Sequence, residues 1–430
     1  MTKPIIITAS GDALITRKLP EDYEGKRDVA AFLAQGDVRI TNLETTVTDL
    51  DCFPSTFSGG TWLTAPEEVL EDVKSYGFNT CGLANNHMLD YSFGGLRETM
   101  AKLKAHHLPF TGAGESLEDA ARPVIQETQQ GKVAFLALTS TFDDTARAGL
   151  QGPYLPARPG INFLRHEEIY LVTPEQLQQL RTIADGSLMN VKSKRRLKTG
   201  YKLQGDPDIF ELRDLKFKAA AIPGKTTIPN KRDLERTEAQ IRQLKQTVDV
   251  VVVMLHSHEM KDDSMETIDD FIRESAHRFI NAGADLILGG GCHQLKAIEV
   301  YRGKPIFYSL GNFIYQNDVV GVLPPDFMEK YHLPLATTAR EALAARKSHA
   351  KGGGMQALEN YLSVLPRVCF QKGACRSLTL LPIGLGYEKV GEAHAIPYPA
   401  TAEERETIFR TLCRLSEPLG TKLVERDGLF

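Results

Sequence analysis

Residues 250–259 read VVVVMLHSHE, and this stretch predicts both a fold class and a chemistry. Six apolar residues in a row are typical of a strand that is buried on both faces, as in a parallel sheet. His256, His258 and Glu259 follow at once, so the strand ends on residues that bind metals or transfer protons. Because the ligands of open α/β sheets bind at the carboxyl ends of strands, we expect a functional site there.

Four other predicted strands end in the same way. The residues that follow these strands are Asp12, Glu44, the run Asn85-Asn86-His87, and His293. Divalent metals bind carboxylate oxygens, amide carbonyls and imidazoles, which are the groups found here. One such end has another interpretation, since a single Asp after a glycine is also typical of a helix N-cap or a turn. Five together predict a metal centre on an α/β fold.

The net charge, the cysteines and the apolar runs predict where the protein occurs and which partners it lacks. The chain has 430 residues, a formal net charge of −4 and six cysteines without a CxxC pair. A chain of this charge has no general attraction to nucleic acid or anionic membranes, and its scattered cysteines indicate a reducing compartment. No apolar run approaches the ~20 residues that span a bilayer, and the first predicted strand leaves no room for a signal peptide. We therefore expect a cytoplasmic protein without nucleic-acid or membrane partners.

The alternation of strands and helices is interrupted twice. The pattern weakens over residues 144–235, where several prolines and a basic run occur. It weakens again over residues 317–375, which include Pro324-Pro325 and Gly352-Gly353-Gly354. We expect a single domain over residues 1–430, in which the first stretch is a cap and the second an irregular insertion.

The segment from Asn86 to Asp90 is predicted to combine two roles, metal binding and proton transfer. An Asn carbonyl ligates a hard cation, while the adjacent imidazole is free to transfer a proton. Asp90 lies one turn further on and is placed to orient His87, as carboxylates commonly orient catalytic histidines. His258 alternates with His256 along the predicted strand and is a further candidate for metal binding or acid–base chemistry.

The motifs, taken as a set, resemble a known family. The segments that carry the resemblance are GDALITRKL (residues 11–19), ITNLETTV (40–47), LANNHMLDYSFGGL (83–96), LHSHE (255–259), INAGADLILGGGCHQ (280–294) and SLGNF (309–313). They look like the successive signatures of CapA-type proteins, which are named for poly-γ-glutamate capsule synthesis and belong to the calcineurin-like metallophosphatase superfamily. The similarity spans nearly the whole chain.

The resemblance implies a fold, a cofactor and a set of site residues. The implied fold is a four-layer α-β-β-α sandwich with one or two divalent ions, Mn, Zn or Fe, at the strand ends. The positions that match the family's metal ligands are Asp12, Glu44, Asn86, His256 and His293. His87 matches the superfamily's proton-transferring histidine, and His258 belongs to an H-x-H-E variant of the family motif.

One position departs from the family pattern. The turn before His293 usually reads G-H-x-P-H in relatives, whereas this chain has Gly290 and Cys292 there. The expected consequence is the loss of one imidazole, which leaves a single tight metal unless His258 or Cys292 substitutes. A phosphatase relies on two metals to hold the attacking and leaving oxygens.

Three functions follow from the residues and the resemblance. The first is a metal-dependent hydrolase that acts on an amide, peptide or phosphoester, with His87 as proton donor. The predicted catalytic residues are His87, Asp90 and His258, and the predicted substrate-binding residues are Arg17, Asn85, Glu259 and Asn312. The second is a metal-dependent peptide epimerase with His87 and His258 as acid and base. The third is a non-catalytic accessory or binding protein in polyglutamate handling.

The expected partner is a small molecule or a peptide, including acidic ones. The basic run KSKRRLKTGYK at residues 192–202 is a candidate for holding such an acidic partner. A solvated loop is the alternative interpretation of the same run.

Overall fold

The structure is a computed structural model that describes residues 3–349 and 357–430. It confirms a mixed α/β protein with several sheets. The run Gly352-Gly353-Gly354 lies outside the described residues. Within them, no helix combines the length and the apolar character that crossing a bilayer requires.

The strands and helices are numbered in chain order. The strands are β1 (Ile5–Leu14), β2 (Val38–Leu43), β3 (Thr46–Val47), β4 (Thr64–Ala65), β5 (Thr80–Gly82), β6 (Phe110–Thr111), β7 (Ala113–Gly114), β8 (Val124–Thr128), β9 (Gly131–Thr139), β10 (Gly160–Ile161), β11 (His166–Val172), β12 (Ile209–Leu212), β13 (Leu215–Ala219), β14 (Gly224–Pro229), β15 (Val250–Ser257), β16 (Leu286–Gly291), β17 (Ile298–Tyr301), β18 (Lys304–Phe307), β19 (Asn312–Tyr315), β20 (Leu362–Gln371), β21 (Ala374–Gly384) and β22 (Tyr398–Pro399). The helices are α1 (Lys26–Leu33), α2 (Val69–Ser75), α3 (Ser92–Ala105), α4 (Leu117–Ala120), α5 (Pro174–Gly186), α6 (Val191–Lys198), α7 (Lys231–Leu244), α8 (Asp270–Ala282), α9 (Pro325–Lys330), α10 (Ala339–Ser348) and α11 (Ala402–Ser416).

Eight strands form the first large sheet, in the order β22-β21-β20-β1-β2-β5-β6 with β19 also paired to β1. β1 is parallel to β2 and β19, and β2 is parallel to β5. The register pairs Asp12 with Asn42 of β2 and with Asn312 of β19. Because these strands run in the same direction, the chain leaves them at one edge, at Glu44 after β2 and at Asn85 shortly after β5.

Six strands form the second large sheet, in the order β17-β18-β16-β15-β9-β8. The apolar run of residues 250–255 belongs to β15, which is buried along its whole length between the parallel strands β9 and β16. The register pairs His256 with Gly290 of β16 and with Thr139 of β9. The carboxyl end of β15 therefore lies between the ends of two parallel neighbours.

The two large sheets share one apolar cluster. Ile7 and Ile40 of the first sheet pack with Phe135, Val252 and Leu288 of the second, and all five side chains are fully buried. Burial of one such side chain stabilises the fold by roughly 1.5–3 kcal/mol. A second cluster joins the first sheet to α2 and α3, and a third joins the second sheet to α7 and α8.

The predicted cap, residues 144–235, contains a sheet of its own. Its four strands have the order β12-β13-β11-β14, and α5 and α6 lie between β11 and β12 in the chain. Arg165 ties the start of this segment to α7, since its guanidinium donates to Asp233 at 2.8 Å. The single-domain organisation and the role of this segment as a cap stay predictions.

The range predicted for the irregular insertion, residues 317–375, includes a long regular strand near its C-terminal end. The segment Leu362–Gln371 is β20, which pairs antiparallel with β1 and with β21. Pro366 obscured this strand, because proline lacks the N–H that a sheet requires and argues against a central strand. The pairing with β1 runs from Arg367 to Phe370, so it begins directly after the proline.

Candidate metal centre

The strand ends bring two groups of possible metal ligands together. Glu44, His256 and His258 form the first group, and Asp12, Glu44 and His293 form the second. In each group the ligand atoms lie within 4.8 Å of one another. Glu44 belongs to both groups, so its carboxylate is shared between them.

The surroundings of Glu44 point to a cation. Its side chain is fully buried, and neither carboxylate oxygen has a hydrogen-bond partner among the described residues. Burial, together with the charges of Asp12 and Asp90, raises the pKa of Glu44 well above its ordinary value. A buried carboxylate without a partner is strongly destabilising, and a divalent cation removes that cost.

The charge balance of the site supports the same conclusion. Asp12, Glu44 and Asp90 are all buried, and their only ion-pair neighbours in the described part of the chain are histidines. Three carboxylates without a lysine or arginine leave an excess of negative charge. Carboxylate oxygens combined with imidazole nitrogens are a donor set that Mn, Zn and Fe accept. The residues present therefore fit a divalent metal.

His256 Nε2 lies at the centre of the first group. Asn86 Oδ1 is 2.7 Å away, His258 Nε2 is 3.1 Å away and Glu44 Oε1 is 3.5 Å away. Atoms that bind one ion at about 2.1 Å stand about 3–3.5 Å apart, so these separations are those of a ligand set. The carbonyl of Gly59 accepts the Asn86 amide N–H at 2.8 Å, which turns Oδ1 toward the histidines.

His258, predicted as an acid–base residue, lies among the possible ligands. Its Nε2 is 3.2 Å from Asn86 Oδ1 and 3.7 Å from Glu44 Oε1. Burial and the neighbouring His256 lower its pKa well below the ordinary value, and the neutral imidazole is the form that binds a metal. The sequence did not settle this position, because β15 and its alternation of side chains end at Ser257.

Asp12, in the second group, is held by two donors. Asn42 Nδ2 donates to its Oδ1 at 2.7 Å, and the backbone N–H of Gly291 donates to its Oδ2 at 2.6 Å. Burial alone would raise the pKa of Asp12, but the neighbouring His256 and His293 outweigh burial and lower it. Asp12 is therefore an oriented, charged carboxylate.

Asn312 orients His293, the other member of the second group. The two amide N–H groups of Asn312 donate to the carbonyls of His293 and Asn360, at 3.2 Å and 2.9 Å. Its Oδ1 therefore faces the ring and accepts the Nδ1–H of His293 at 2.9 Å, which leaves the Nε2 lone pair available to a metal. Burial lowers the pKa of His293 to about 4, so the ring is neutral near pH 7. Asn312, which we expected to bind substrate, has no amide N–H left for that contact.

The loss of a ligand at Gly290 stays a prediction, and the structure shows what lies beside this glycine. A Cβ at this position would lie 2.6 Å from Asp12 Oδ1 and 3.1 Å from Oδ2, so the carboxylate fills the space that a side chain needs. Cys292 is no substitute, because its buried thiol donates to the carbonyl of Gln294 at 3.3 Å. The first ligand group contains two imidazoles, those of His256 and His258.

His87 and Asp90 form a hydrogen-bonded pair beside the two ligand groups. The Nδ1–H of His87 donates to Asp90 Oδ2 at 2.7 Å. Backbone N–H groups of Gly59 and Leu63 donate to the same carboxylate at 2.9 Å and 2.8 Å and fix its position. The other ring nitrogen of His87 is 3.9 Å from Glu44 Oε1 and so faces the site. A carboxylate that holds one ring nitrogen leaves the other available for proton transfer.

Two of the predicted substrate-binding side chains donate hydrogen bonds to other residues of the protein. Asn85 is buried, and its amide N–H groups donate to Asn42 Oδ1 at 3.1 Å and to the carbonyl of Leu43 at 2.9 Å. The guanidinium of Arg17 donates to the carbonyl of Gly391 at 2.8 Å. Within the described residues, no hydrogen bond or ion pair joins either side chain to a member of the two ligand groups.

Glu259, the fourth predicted substrate-binding residue, lines a cleft of about 610 Å³ beside His258. Its carboxylate accepts hydrogen bonds from the hydroxyls of Ser140, Thr141 and Ser257, at 2.6, 2.9 and 2.5 Å. Thr141 Oγ1 also accepts the backbone N–H of His258 at 2.8 Å. Glu259 thus stabilises the loop that carries His258 and faces the cleft as well.

Sequence reasoning missed several residues that shape the site. Asn42 lies within the ITNLETTV motif, and its place at a strand end was a signal that could have found it. Gly59 had no such signal, although a Cβ there would lie 2.6 Å from Asn86 Nδ2 and 2.8 Å from the His87 ring. Thr141 and Asn360 act through tertiary hydrogen bonds that no local pattern reveals.

Comparison with known proteins connects this site to a family. The uncharacterized protein y4sH of Sinorhizobium fredii is 34% identical over 98% of this chain and 91% of its own length. The capsule biosynthesis protein CapA of Bacillus anthracis is 26% identical over 59% of this chain and 44% of its own length. The PGA biosynthesis protein CapA of Bacillus subtilis is 26% identical over 64% of this chain and 52% of its own length.

A family model provides the broader match. The model of the bacterial capsule synthesis protein PGA_cap matches residues 6–317, a range that contains all members of both ligand groups as well as His87 and Asp90. This chain therefore belongs to the PGA_cap family of bacterial capsule synthesis proteins and is a CapA-type protein.

Proposed function

We propose that this chain is a metal-dependent hydrolase of the metallophosphatase type, with a four-layer α-β-β-α architecture and its metal centre at the strand ends. The observation that carries the proposal is Glu44, a buried carboxylate without a hydrogen-bond partner in the described structure, shared between two groups of ligands. A carboxylate that belongs to both ligand groups can bind an ion in each of them, so its position favours two metal ions over one.

The residues that would hold two divalent ions are Glu44, Asn86, His256 and His258 for one, and Asp12, Glu44 and His293 for the other. Bound there, the ions supply Lewis acidity that lowers the pKa of water and polarises the scissile group. The protein prepares this chemistry by keeping His258 and His293 neutral and by holding Asp12 and His293 through Asn42 and Asn312.

His87 donates the proton that the leaving group needs. Asp90 accepts its Nδ1–H, so the carboxylate fixes the ring orientation and stabilises the imidazolium form. The Nε2 atom faces the shared carboxylate, which brings the proton to the ligand groups. General acid catalysis of this kind contributes roughly 10²–10⁴-fold in rate.

The substrate is an amide, a peptide or a phosphoester. The cleft beside Glu259 is lined by polar and charged side chains and is large enough for a short peptide. The Bacillus subtilis relative is named a PGA biosynthesis protein, which makes an acidic γ-glutamyl peptide the first substrate to test. The cytoplasmic location and the absence of a nucleic-acid partner stay predictions from composition.

The two other functions fit the geometry less well. An epimerase that uses His258 as a base needs that imidazole outside the ligand set, whereas its Nε2 is 3.1 Å from His256 Nε2. An accessory protein with a degenerate metal site was suggested by Gly290, and that glycine accommodates Asp12. We therefore place the hydrolase first.

The test is turnover by purified protein loaded with Mn²⁺, Zn²⁺ or Fe²⁺. The panel contains γ-glutamyl oligopeptides, ordinary peptides and bis(p-nitrophenyl) phosphate, and the matched variant is His87→Asn. We expect turnover of at least one substrate, and a loss of roughly 10²–10⁴-fold in the variant at unchanged metal content. Tight metal binding without any turnover would contradict the proposal. Deuterium uptake at a substrate Cα in D₂O without cleavage would move the assignment to an epimerase.

A further inference from the structure

The segment of residues 188–203, called the basic segment below, has a charge unlike that of the whole chain. It contains six lysines and arginines and no acidic residue, whereas the chain carries a net charge of −4. The six cations are Lys192, Lys194, Arg195, Arg196, Lys198 and Lys202. The basic segment lies in the predicted cap and includes α6.

Most of these cations have no acidic partner. Lys194 pairs with Asp185 at 2.6 Å, and Lys202 pairs with Glu211. The other four form no ion pair with any residue that the structure describes, and all four are exposed. None of the eight residues of α6 is buried. A helix this short is marginal in water on its own, so contact with a further surface would stabilise α6.

The same segment exposes apolar side chains. Leu188, Tyr201 and Leu203 are 69%, 81% and 86% exposed, and Met189 and Val191 are exposed by about half, at 46% and 53%. Single exposed apolar residues are common on protein surfaces, but five within sixteen residues are a concentration that marks an interaction site. Exposed cations and exposed apolar side chains thus occur together in one segment.

We propose that the basic segment docks this protein on an anionic lipid surface. Lysines and arginines are attracted to acidic headgroups, while Tyr201 and the neighbouring aliphatic side chains enter the boundary between headgroups and acyl chains. A soluble polyanion such as polyglutamate would use the cations but leaves the apolar side chains in water. A peptide would require a groove that covers its side chains, whereas these five apolar side chains are about half exposed or more. The proposal revises the expectation of no membrane partner, which rested on net charge rather than on local charge.

The test measures binding to vesicles by sedimentation at physiological salt. Vesicles of phosphatidylglycerol and phosphatidylcholine in equal parts are compared with pure phosphatidylcholine. The charge variant is Lys192→Glu/Arg195→Glu/Arg196→Glu, and the apolar variant is Tyr201→Ser/Leu203→Ser. The control variant, Arg340→Glu/Arg376→Glu/Lys422→Glu, makes the same charge change at exposed cations elsewhere. All substitutions are at exposed positions, and thermal melting verifies that each variant is folded.

We expect wild type to bind the anionic vesicles and not the neutral ones. Each cation removed should weaken binding roughly fivefold, so the charge variant should lose on the order of a hundredfold or more. The apolar variant should also lose on the order of tenfold, because two side chains no longer enter the interface. The control variant should bind within a factor of about three of wild type.

Two results would overturn the proposal. One is wild-type binding that is absent or equal for the two vesicle types. The other is binding to soluble poly-γ-glutamate that competes with the vesicles and is unchanged in the apolar variant, because this would make the basic segment a polyanion site. Metal content and hydrolysis of a soluble substrate are measured alongside, and we expect both to be the same in all four proteins.

Discussion

Replacement of Gly290 by alanine perturbs the metal centre at one well-defined point. The new Cβ would lie 2.6 Å from Asp12 Oδ1, whereas ordinary contact begins at about 3.4 Å. The carboxylate must therefore retreat by about 0.8 Å, the difference between the two distances. It is buried and held by Asn42 and by the backbone N–H of Gly291, so a movement of this size strains both hydrogen bonds.

The magnitude follows from those contacts. Hydrogen bonds to a charged group contribute about 1.5–3 kcal/mol each, and an overpacked methyl group costs about 1–3 kcal/mol. We expect Gly290→Ala to lower the free energy of unfolding of the metal-loaded protein by about 2–4 kcal/mol. A displaced Asp12 should also weaken metal binding by roughly 10–100-fold.

The assay combines urea unfolding with elemental analysis after equilibrium dialysis against Mn²⁺. Gly224→Ala is the matched control, since a Cβ at Gly224 meets no atom within 4 Å and its backbone is compatible with alanine. The control should stay within about 0.5 kcal/mol of wild type. Wild-type stability and metal content in Gly290→Ala would contradict a close contact between residue 290 and Asp12. A gain of metal in Gly290→His would restore the idea of a lost ligand.

Three further predictions concern the residues around the ions. Asp90→Asn should lower kcat by roughly 10²–10⁴-fold with unchanged metal content, because the imidazolium of His87 loses its carboxylate; loss of metal in this variant would contradict the assignment. Asn312→Ala should weaken metal affinity by roughly 10–100-fold, because His293 is no longer oriented; titration with Mn²⁺ measures this, and an unchanged affinity would argue against the role of Asn312. His258→Ala should lower the metal content by about one ion per chain, and an unchanged content would return His258 to the acid–base role that the sequence suggested.

Much of the site was accessible from the sequence because strands end abruptly on polar residues. The carboxyl ends of parallel strands meet at one edge, so Asp12, Glu44, Asn86 and His256 were expected to be neighbours, and the structure brings them together. The position of His293 beside them was expected for the same reason, because it follows a predicted strand. These inferences needed only the pattern of apolar runs, which is a local property of the chain.

The remaining features depend on tertiary contacts. His258 lies beyond the end of β15, where strand alternation no longer predicts the direction of a side chain. The sequence also does not show that the Asp12 carboxylate occupies the space beside Gly290. The role of Asn312 depends on which way its amide is turned, and that is decided by the carbonyl of Asn360, 48 residues away. β20 was missed because Pro366 lies within it.

The most direct test of the account is the variant Glu44→Gln, compared with wild type with and without metal. The pKa of Glu44 is raised above its ordinary value of 4.5 in the metal-free protein. The folded state then holds this proton more tightly than the unfolded state, so the contribution to stability is present below about pH 4.5 and is lost as the pH rises toward the raised value. The glutamine side chain of the variant cannot ionise and avoids this loss.

We predict opposite effects in the two conditions. With metal, wild type should hold about two ions per chain, and Glu44→Gln should hold about one or fewer and be less stable. After chelation, Glu44→Gln should be more stable than wild type at pH 7–8, with a difference that shrinks toward pH 5. Equal metal content in the two proteins, or a lower stability of the variant after chelation, would contradict a metal centre built around a shared Glu44.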